Sequence, residues 1–488
     1  MINNIKKNYF YNLLYQVLLV ISPLITMPFL SRSLGVSGIG EYSYAYSIIS
    51  YFVLVATFGF DVYGRREISY YKDDIKKRTE SFLSVQIIKT IFTIFTLICY
   101  IIFSLFNPNK ILLFLLVFHL INVPLNIGWF FQGIGEFKKI TIRGFLLKII
   151  DLVFVVFFIK EPTDLNLYVF GSSFIAFVTF FALWIDLKEY ICKVNLSFIK
   201  IKKTFKEGAI FFLPAIATSI YTLLDKTMLG IITKGYIENG YYEQAQKINV
   251  VLLKLVLALG TVLLPQIANA YKKNNKKNIQ KFILKSANYV FFISIAIAFG
   301  LMSVSEYFVP WFFGKSFNKV SILLNFSGFI LIFQGLDDIF GMQYLVSTNN
   351  QKKYVISLFF GAFVNFFCNL ILIRHFQSVG ALIASLIGEI AIVVIQIFMV
   401  KRDINVFEIL KLSYNYFFAG IIMYLICKIV SIVLNPSIFA TIILTLVGIV
   451  TYTFVLLILK DTFFINIIDS YKSKIKLKKY SINKDGVE

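Results

Sequence analysis

Charge is scarce in this chain, and acid is scarcer than base. Of 488 residues only 15% are charged, with 26 Asp and Glu against 48 Lys and Arg. Cysteine is scarcer still. The four cysteines, Cys99, Cys192, Cys368 and Cys427, make no metal or redox spacing, and they read as small buried residues. There is no Walker A sequence, which argues against direct ATP hydrolysis by this chain. No cofactor or metal is expected.

What the chain has in excess is apolar surface: 58% of residues are hydrophobic and the mean hydropathy is +0.78. A soluble globular protein needs far less, so the fold class is an all-α polytopic membrane protein. The net charge of +22 would suit nucleic acid. The basic residues, however, sit in short loops between apolar runs, so no nucleic-acid partner is expected. The first apolar run, 9–30, is too long for a signal-peptide core and reads as the first transmembrane helix.

Fourteen apolar spans follow from the hydropathy: 9–30, 42–62, 81–106, 111–131, 140–159, 165–187, 209–232, 243–268, 282–304, 318–343, 354–373, 379–399, 412–433 and 438–459. Each can cross ~30 Å of hydrocarbon as a helix. With the N-terminus inside, 33 Lys and Arg fall in inner segments and seven in outer ones. That bias predicts two cytoplasmic termini, and hence an even number of spans. The inner loop 188–208 carries six lysines and, with the basic tail 471–480, is expected to lie on anionic lipids. The outer loops are short, and the longest, about 305–317, holds one acid, Glu306. A membrane glycan polymerase or glycosyltransferase would need more there, so the chain is read as a non-enzyme.

An internal repeat is visible. Arg32-Ser33-Leu34-Gly35 and Gly40-Glu41-Tyr42-Ser43-Tyr44-Ala45 return as Lys226-Thr227-Met228-Leu229-Gly230 and Gly240-Tyr241-Tyr242-Glu243-Gln244-Ala245. Both copies share a base, Leu-Gly, a short loop and Gly-x-Tyr-x-x-Ala, and the first helix of each hairpin holds proline. The offset is six spans, an even number, so the halves are parallel repeats. The expected organisation is a six-helix lobe over 1–190, a basic linker over 191–208 and a second six-helix lobe over 209–400. An appended helix pair over 401–460 and a tail over 461–488 complete the chain.

The hairpin of spans seven and eight carries Asp225, Lys226, Lys247 and Lys254. A charge at bilayer depth costs at least ~2.5–3.5 kcal/mol and usually faces a bundle interior or a water-filled cavity. Four in one hairpin therefore predict a polar cavity, although Lys247 could instead snorkel to an interface. Other polar residues share one helical face in their spans: Asn12 with Gln16, Gln86 with Lys89 and Thr93, and His119 with Asn122 and Asn126. The same holds for Arg143 with Lys148 and Asp151, and for Gln334 with Asp337 and Asp338. Glu389 stands alone in span twelve. Such stripes suit a hydrated passage for a hydroxyl-rich cargo, and they equally suit hydrogen bonds between helices. Lys148 and Asp151, three apart, are expected to pair. Lys89 and Lys254 have no acid three or four positions away.

The chain resembles the Wzx-type flippases, the polysaccharide-transporter branch of the multidrug/oligosaccharidyl-lipid/polysaccharide exporter (MOP) superfamily. The carrying residues run from Pro28-Phe29-Leu30-Ser31-Arg32-Ser33-Leu34-Gly35 with Gly40-Glu41-Tyr42, through Phe58-Gly59-Phe60 and Arg65-Arg66-Glu67, to Trp129-Phe130-Phe131-Gln132-Gly133. Asp225-Lys226, Leu229-Gly230 and Gly240-Tyr241-Tyr242 complete the set. The resemblance implies a two-lobed transporter in a bacterial cytoplasmic membrane that moves an undecaprenyl-diphosphate-linked oligosaccharide outward for capsule, exopolysaccharide or another envelope glycan. Its implied partners include a polysaccharide polymerase and glycosyltransferases. Lys89, Arg143, Lys148, Lys226, Lys247 and Lys254, with Asn12, Gln16, Asn122 and Asn126, are then the cavity candidates. Asp225, Asp337, Asp338 and Glu389 are the ion or proton candidates, and Arg65 and Arg66 a cytoplasmic gate. A lipid II flippase and a drug or cation antiporter of the same superfamily are the alternatives. The antiporters usually have twelve spans.

Overall fold

The computed structural model describes residues 2–469. The tail 471–480 lies outside them, and the side chains of Asn12 and Gln16 are likewise outside what is described. Among the described residues every regular element is a helix. In chain order these are α1 (Ile2–Thr57), α2 (Phe60–Tyr70), α3 (Ile75–Leu105), α4 (Lys110–Leu116), α5 (Phe118–Leu125), α6 (Gly128–Ile134), α7 (Phe137–Phe158), α8 (Leu165–Leu187), α9 (Phe198–Gly208) and α10 (Phe212–Ile232). Then come α11 (Ile237–Val256), α12 (Ala258–Lys272), α13 (Lys276–Phe312), α14 (Lys319–Asp337), a π-helical stretch Asp338–Val346, α15 (Gln351–Val400), α16 (Val406–Lys411), α17 (Ser413–Ser431) and α18 (Ile438–Ile458).

Local chemistry sets the helix ends. Asp74 accepts from the Lys77 backbone N–H at 3.0 Å and starts α3, an N-cap in which a side chain replaces a missing helical acceptor. That bond and the Lys77 charge hold the Asp74 carboxyl below its ordinary range. The 56 residues of α1 are interrupted at Gly35, whose φ of 67° only glycine adopts at little cost. The 50 residues of α15 are interrupted at Gln377, with φ 54°. A Cβ on Gly380 would meet the backbone of Leu372 and Ile373, so the chain doubles back there.

Nine helices among the described residues are long and apolar enough to cross a membrane, or ten if α11 and α12, bent by 45° at Leu257, count as one. The hydropathy reading expected fourteen spans. Part of the difference is continuity, since α1 and α15 each cover two expected spans. Part is polarity: α7, which carries Arg143, Lys148 and Asp151, forms a helix where a span was expected but falls outside this set, while α10 forms a helix over most of the expected span 209–232. The inner loop 188–208 is not all loop, because Ser197 caps the basic amphipathic α9. The outer segment 305–317 is helical as far as Phe312.

The described chain divides into two compact units that are not continuous in sequence. The first holds residues up to 247 together with 358–385, and the second holds 248–357 and everything after 386. In the first unit, Phe60, Phe82, Trp129, Phe130 and Phe131 centre a core that joins α2, α3 and α6. In the second, α17 and α18 dock on α13 through buried hydroxyls and an indole. Tyr307 donates to the Ser431 carbonyl at 2.8 Å, Trp311 to Thr441 at 2.8 Å, and Tyr452 to the Phe292 carbonyl at 3.0 Å.

The repeat has a geometric meaning inside the first unit. A Cβ on Gly40 would run into the Tyr236 carbonyl and the Gly240 nitrogen, and one on Gly240 into the Val36 carbonyl. The two relations are the same relation with the repeats exchanged. Ser43 donates to Glu243, its own repeat partner, at 2.8 Å. The Tyr44 ring stacks on Tyr236 at 5.2 Å. Gly40 and Gly240 are therefore the places where the two hairpins touch backbone to backbone.

Neither Gly40→Ala nor Gly240→Ala can relieve its clash by moving a side chain. Each should lower the thermal midpoint of the detergent-purified protein, by the equivalent of about 1–3 kcal/mol. Gly38→Ala, whose Cβ would meet only Leu34 Cβ at 3.3 Å, should be close to wild type. Equal midpoints for all three would remove the contact.

Candidate functional site

The charges of the α10–α11 hairpin are organised by a residue that the sequence reading passed over. Glu243 lies one turn before Lys247 on α11 and accepts from it at 3.4 Å. Its other oxygen takes Lys226 of α10 at 2.7 Å and Ser43 of α1 at 2.8 Å. Glu243 and its lysines are largely buried, so two positive charges share one negative charge away from water. The signal was present in the i, i+4 spacing of Glu243 and Lys247.

Asp225, one of the ion or proton candidates, lies next to Lys226 in sequence. Its four hydrogen bonds instead come from neutral groups. Tyr242 and Ser385 donate to Oδ2, while Asn365 at 3.1 Å and Asn369 at 2.6 Å donate to Oδ1. Gln246 donates to the Tyr242 hydroxyl at 2.8 Å. The nest is buried, and the Asn369 Oδ1 within it has no partner. Asn365 and Asn369 sit four apart within the expected span 354–373, a one-faced pattern that sequence reasoning could have used.

Lys89 looked unpartnered because no acid lies nearby on its helix. In the fold its ammonium, fully buried, meets Asp61 of α2 at 2.6 Å and the Asn126 carbonyl at 3.4 Å. Asp61 remains 37% exposed. Asn126 also turns its side chain to the Gly128 N–H at 3.2 Å, which starts α6. Asn122 reaches the Ser173 carbonyl at 3.5 Å, and the Ser173 hydroxyl meets His119 at 3.2 Å. The Arg143 guanidinium lies over the Phe180 ring at 4.6 Å. No ion pair joins Lys148 and Asp151 among the described residues, contrary to expectation; both are half-buried. Arg65 reaches Gln132 at 3.3 Å. Arg66 pairs with Glu67 at 3.2 Å and covers the Tyr63 and Phe211 rings at 5.3 and 5.1 Å.

In the second unit, Lys254 occupies the last turn of α11. It is half-buried and makes no ion pair or hydrogen bond among the described residues. Leu252 and Leu255, on either side of it in sequence, line an apolar groove of about 560 Å³. The rest of that groove comes from α13, α17 and α18, including Ile293, Ile297, Gly300 and Ile449. Asp337 and Asp338 end α14 and accept from Gln396 at 2.6 Å and Gln343 at 2.7 Å. Glu389 is buried. Among the described residues no three His, Cys, Asp or Glu side chains gather as a metal centre would.

A multi-pass helical membrane protein with ion pairs and carboxylates held inside its bundles has close structural counterparts. The lipid II flippase MurJ in an inward closed conformation aligns with a TM-score of 0.74 at 17% identity, over 94% of this chain and 100% of that one. A multidrug resistance MATE family transporter of the MOP superfamily, inward-facing, aligns at 0.61 and 14% identity, over 78% and 94%. The chain thus has the MOP fold. It belongs to the polysaccharide biosynthesis protein family, whose sequence model matches residues 5–271. Among curated relatives, the Escherichia coli (strain K12) protein named "Putative O-antigen transporter" is 24% identical over 82% of this chain and 97% of its own length. The lipid II flippase MurJ of Bacillus subtilis (strain 168) is 25% identical over 43% and 40%. These relatives are named as transporters and flippases, and none as an enzyme.

Glu243→Ala would leave Lys226 and Lys247 without their shared counter-ion. Removing one partner of a buried pair typically costs about 3–5 kcal/mol, so the variant should melt well below wild type in detergent. Glu243→Ala combined with Lys226→Met should recover part of the loss. No recovery, or no loss, would mean that the lysines are neutralised by another group.

Proposed function

We propose that this protein is a flippase that carries an undecaprenyl-diphosphate-linked oligosaccharide from the inner to the outer leaflet of a bacterial cytoplasmic membrane. The glycan would serve capsule, exopolysaccharide or another envelope polymer. One observation carries the reading. Lys254, half-buried and without a counter-ion among the described residues, shares a helix with Leu252 and Leu255, which line an apolar groove. A cation on a helix that also lines an apolar groove suits a lipid phosphate, with the anionic head on the lysine and the prenyl tail along the groove. The family, and the relative named for O-antigen transport, support the oligosaccharide as the third part of the cargo.

In this reading 1–190 and 209–400 act as two lobes and 401–460 as the lipid-facing pair, with both termini cytoplasmic. Lys226, Lys247, Arg143 and Lys148 keep the passage cationic. Lys89 acts as a positioning residue held by Asp61. Asn122 and Asn126 offer amides to sugar hydroxyls, as do Asn12 and Gln16. Arg65 and Arg66 guard the inner end. Outward movement of an anion is downhill in an inside-negative cell by ~2.3 kcal/mol per charge per 100 mV. Asp225 in its nest of neutral oxygens is the coupling site, where a cation adds to that drive. A polymerase and glycosyltransferases act on either side of the step, and anionic lipids contact α9. A second reading, transport of lipid II, is favoured by the 0.74 fold match to MurJ.

Proteoliposomes with a membrane-impermeant lectin outside would read the arrival of labelled oligosaccharide-diphosphate lipid. Lys254→Ala should slow arrival about tenfold, roughly 1.4 kcal/mol, with an unchanged thermal midpoint. Unchanged transport would remove this lysine from the site, and transport of lipid II in preference to any oligosaccharide lipid would replace the leading reading with the second. Asp225→Asn should abolish stimulation by an imposed ion gradient while leaving transport driven by the potential. A variant stimulated like wild type would exclude Asp225 from coupling.

A further inference from the structure

The end of α14 places two carboxylates side by side. Asp337 and Asp338 are adjacent and half-buried, and the helix turns from α to π at Asp338. π-Bulges inside helices often mark functional positions because the extra residue re-aims side chains. Among the described residues the groups that donate to these carboxylates are two amides, Gln396 to Asp337 at 2.6 Å and Gln343 to Asp338 at 2.7 Å. Among the described residues no lysine or arginine pairs with either.

The amides bring a second, independent signal. Gln343 and Gln396 are each 0% exposed, and each has its Nε2 on a carboxylate. The Oε1 of each, and that of Gln334 one turn earlier, is buried with no hydrogen-bond partner. Orphaned buried acceptors are costly, because the group has lost water and gained nothing. The backbone leaves room for this arrangement and for little else. A Cβ on Gly260 would strike the Asp338 carboxylate and the Gln343 amide, and one on Gly341 would meet Gln396 Nε2 at 2.9 Å and the Tyr354 ring. The other titratable groups around the pair are Tyr354 and Glu389 on α15. The centre is therefore oxygen-rich, donor-poor and negative. Carboxylate and amide oxygens are the ligands that hard cations take.

We propose that Asp337 and Asp338, with the amide oxygens of Gln343 and Gln396, hold a single positive charge, either a monovalent metal cation or a proton, at a site separate from the Asp225 nest. Two carboxylates and two amides suffice for one charge. The site would let the second unit carry its own coupling ion. Its role rests on the transporter reading, but its occupancy does not.

The test reads occupancy without cargo, so its failure and the failure of the flippase reading are distinguishable. Full-length protein carrying Asp225→Asn is purified in detergent, and its thermal midpoint is followed against NaCl with choline chloride holding ionic strength constant, on both sides of neutral pH. A saturable rise with Na⁺ at fixed pH, lost in Asp337→Asn/Asp338→Asn, assigns the metal cation. A midpoint that ignores Na⁺, falls as pH rises and loses that fall in the same variant assigns the proton. Should the double variant fail to fold, Asp338→Asn alone keeps one carboxylate and should raise the half-saturating Na⁺ concentration about tenfold or more, as loss of an anionic ligand does, or move the pH midpoint. Neither dependence in the parent, or one that survives both variants unchanged, overturns the site.

Discussion

A charge taken out of water has to find its opposite within the protein, and acids are in short supply in this chain. The consequence is clearest at Glu243, where one carboxylate serves Lys226, Lys247 and the Ser43 hydroxyl. The three elements it joins are α1, α10 and α11, which carry the repeated hairpins. Partnering a buried charge and holding the two halves together are here one interaction. The same constraint places Asp61 against Lys89 and surrounds Asp225 with hydroxyls and amides. It leaves Lys254 half-buried with no such partner among the described residues.

The repeat explains how such an arrangement comes about. Two hairpins of like sequence meet about their shared glycines, because only a residue without Cβ lets backbone approach backbone on both sides of the contact. Gly40 faces Tyr236 and Gly240 faces Val36, so one short motif, used twice, makes both halves of its own interface. Ser43 and Glu243, at equivalent positions, differ in chemistry and meet as donor and acceptor.

Much of the fold was legible. Long apolar runs named the helices, and composition named the solvent they live in. The boundaries were less so. The helices run on past the hydrocarbon-length windows: α13 has 37 residues, and α1 and α15 pass through their turns at Gly35 and Gln377 with almost no loop. Hydropathy responds to the membrane and is blind to where hydrogen bonding stops. The amphipathic α9 hid in a stretch read as a basic loop, because its few apolar residues carry too little total hydropathy to register.

The candidate site was read in its ingredients and missed in its pairings. Asp225 and Lys226 are neighbours in sequence, yet successive residues on a helix point about 100° apart. One therefore faces Asn365, Asn369 and Ser385, and the other faces Glu243. Lys89 seemed alone because its partner is 28 residues away on another helix. By itself the sequence determined that this is a helical membrane protein with a repeated motif and polar residues inside its apolar spans, because those properties follow from local composition and period. Which acid neutralises which base, and which cation is left over, was decided only by tertiary structure. Counter-ions are chosen by distance in space, and helix packing brings together residues that the chain order keeps far apart.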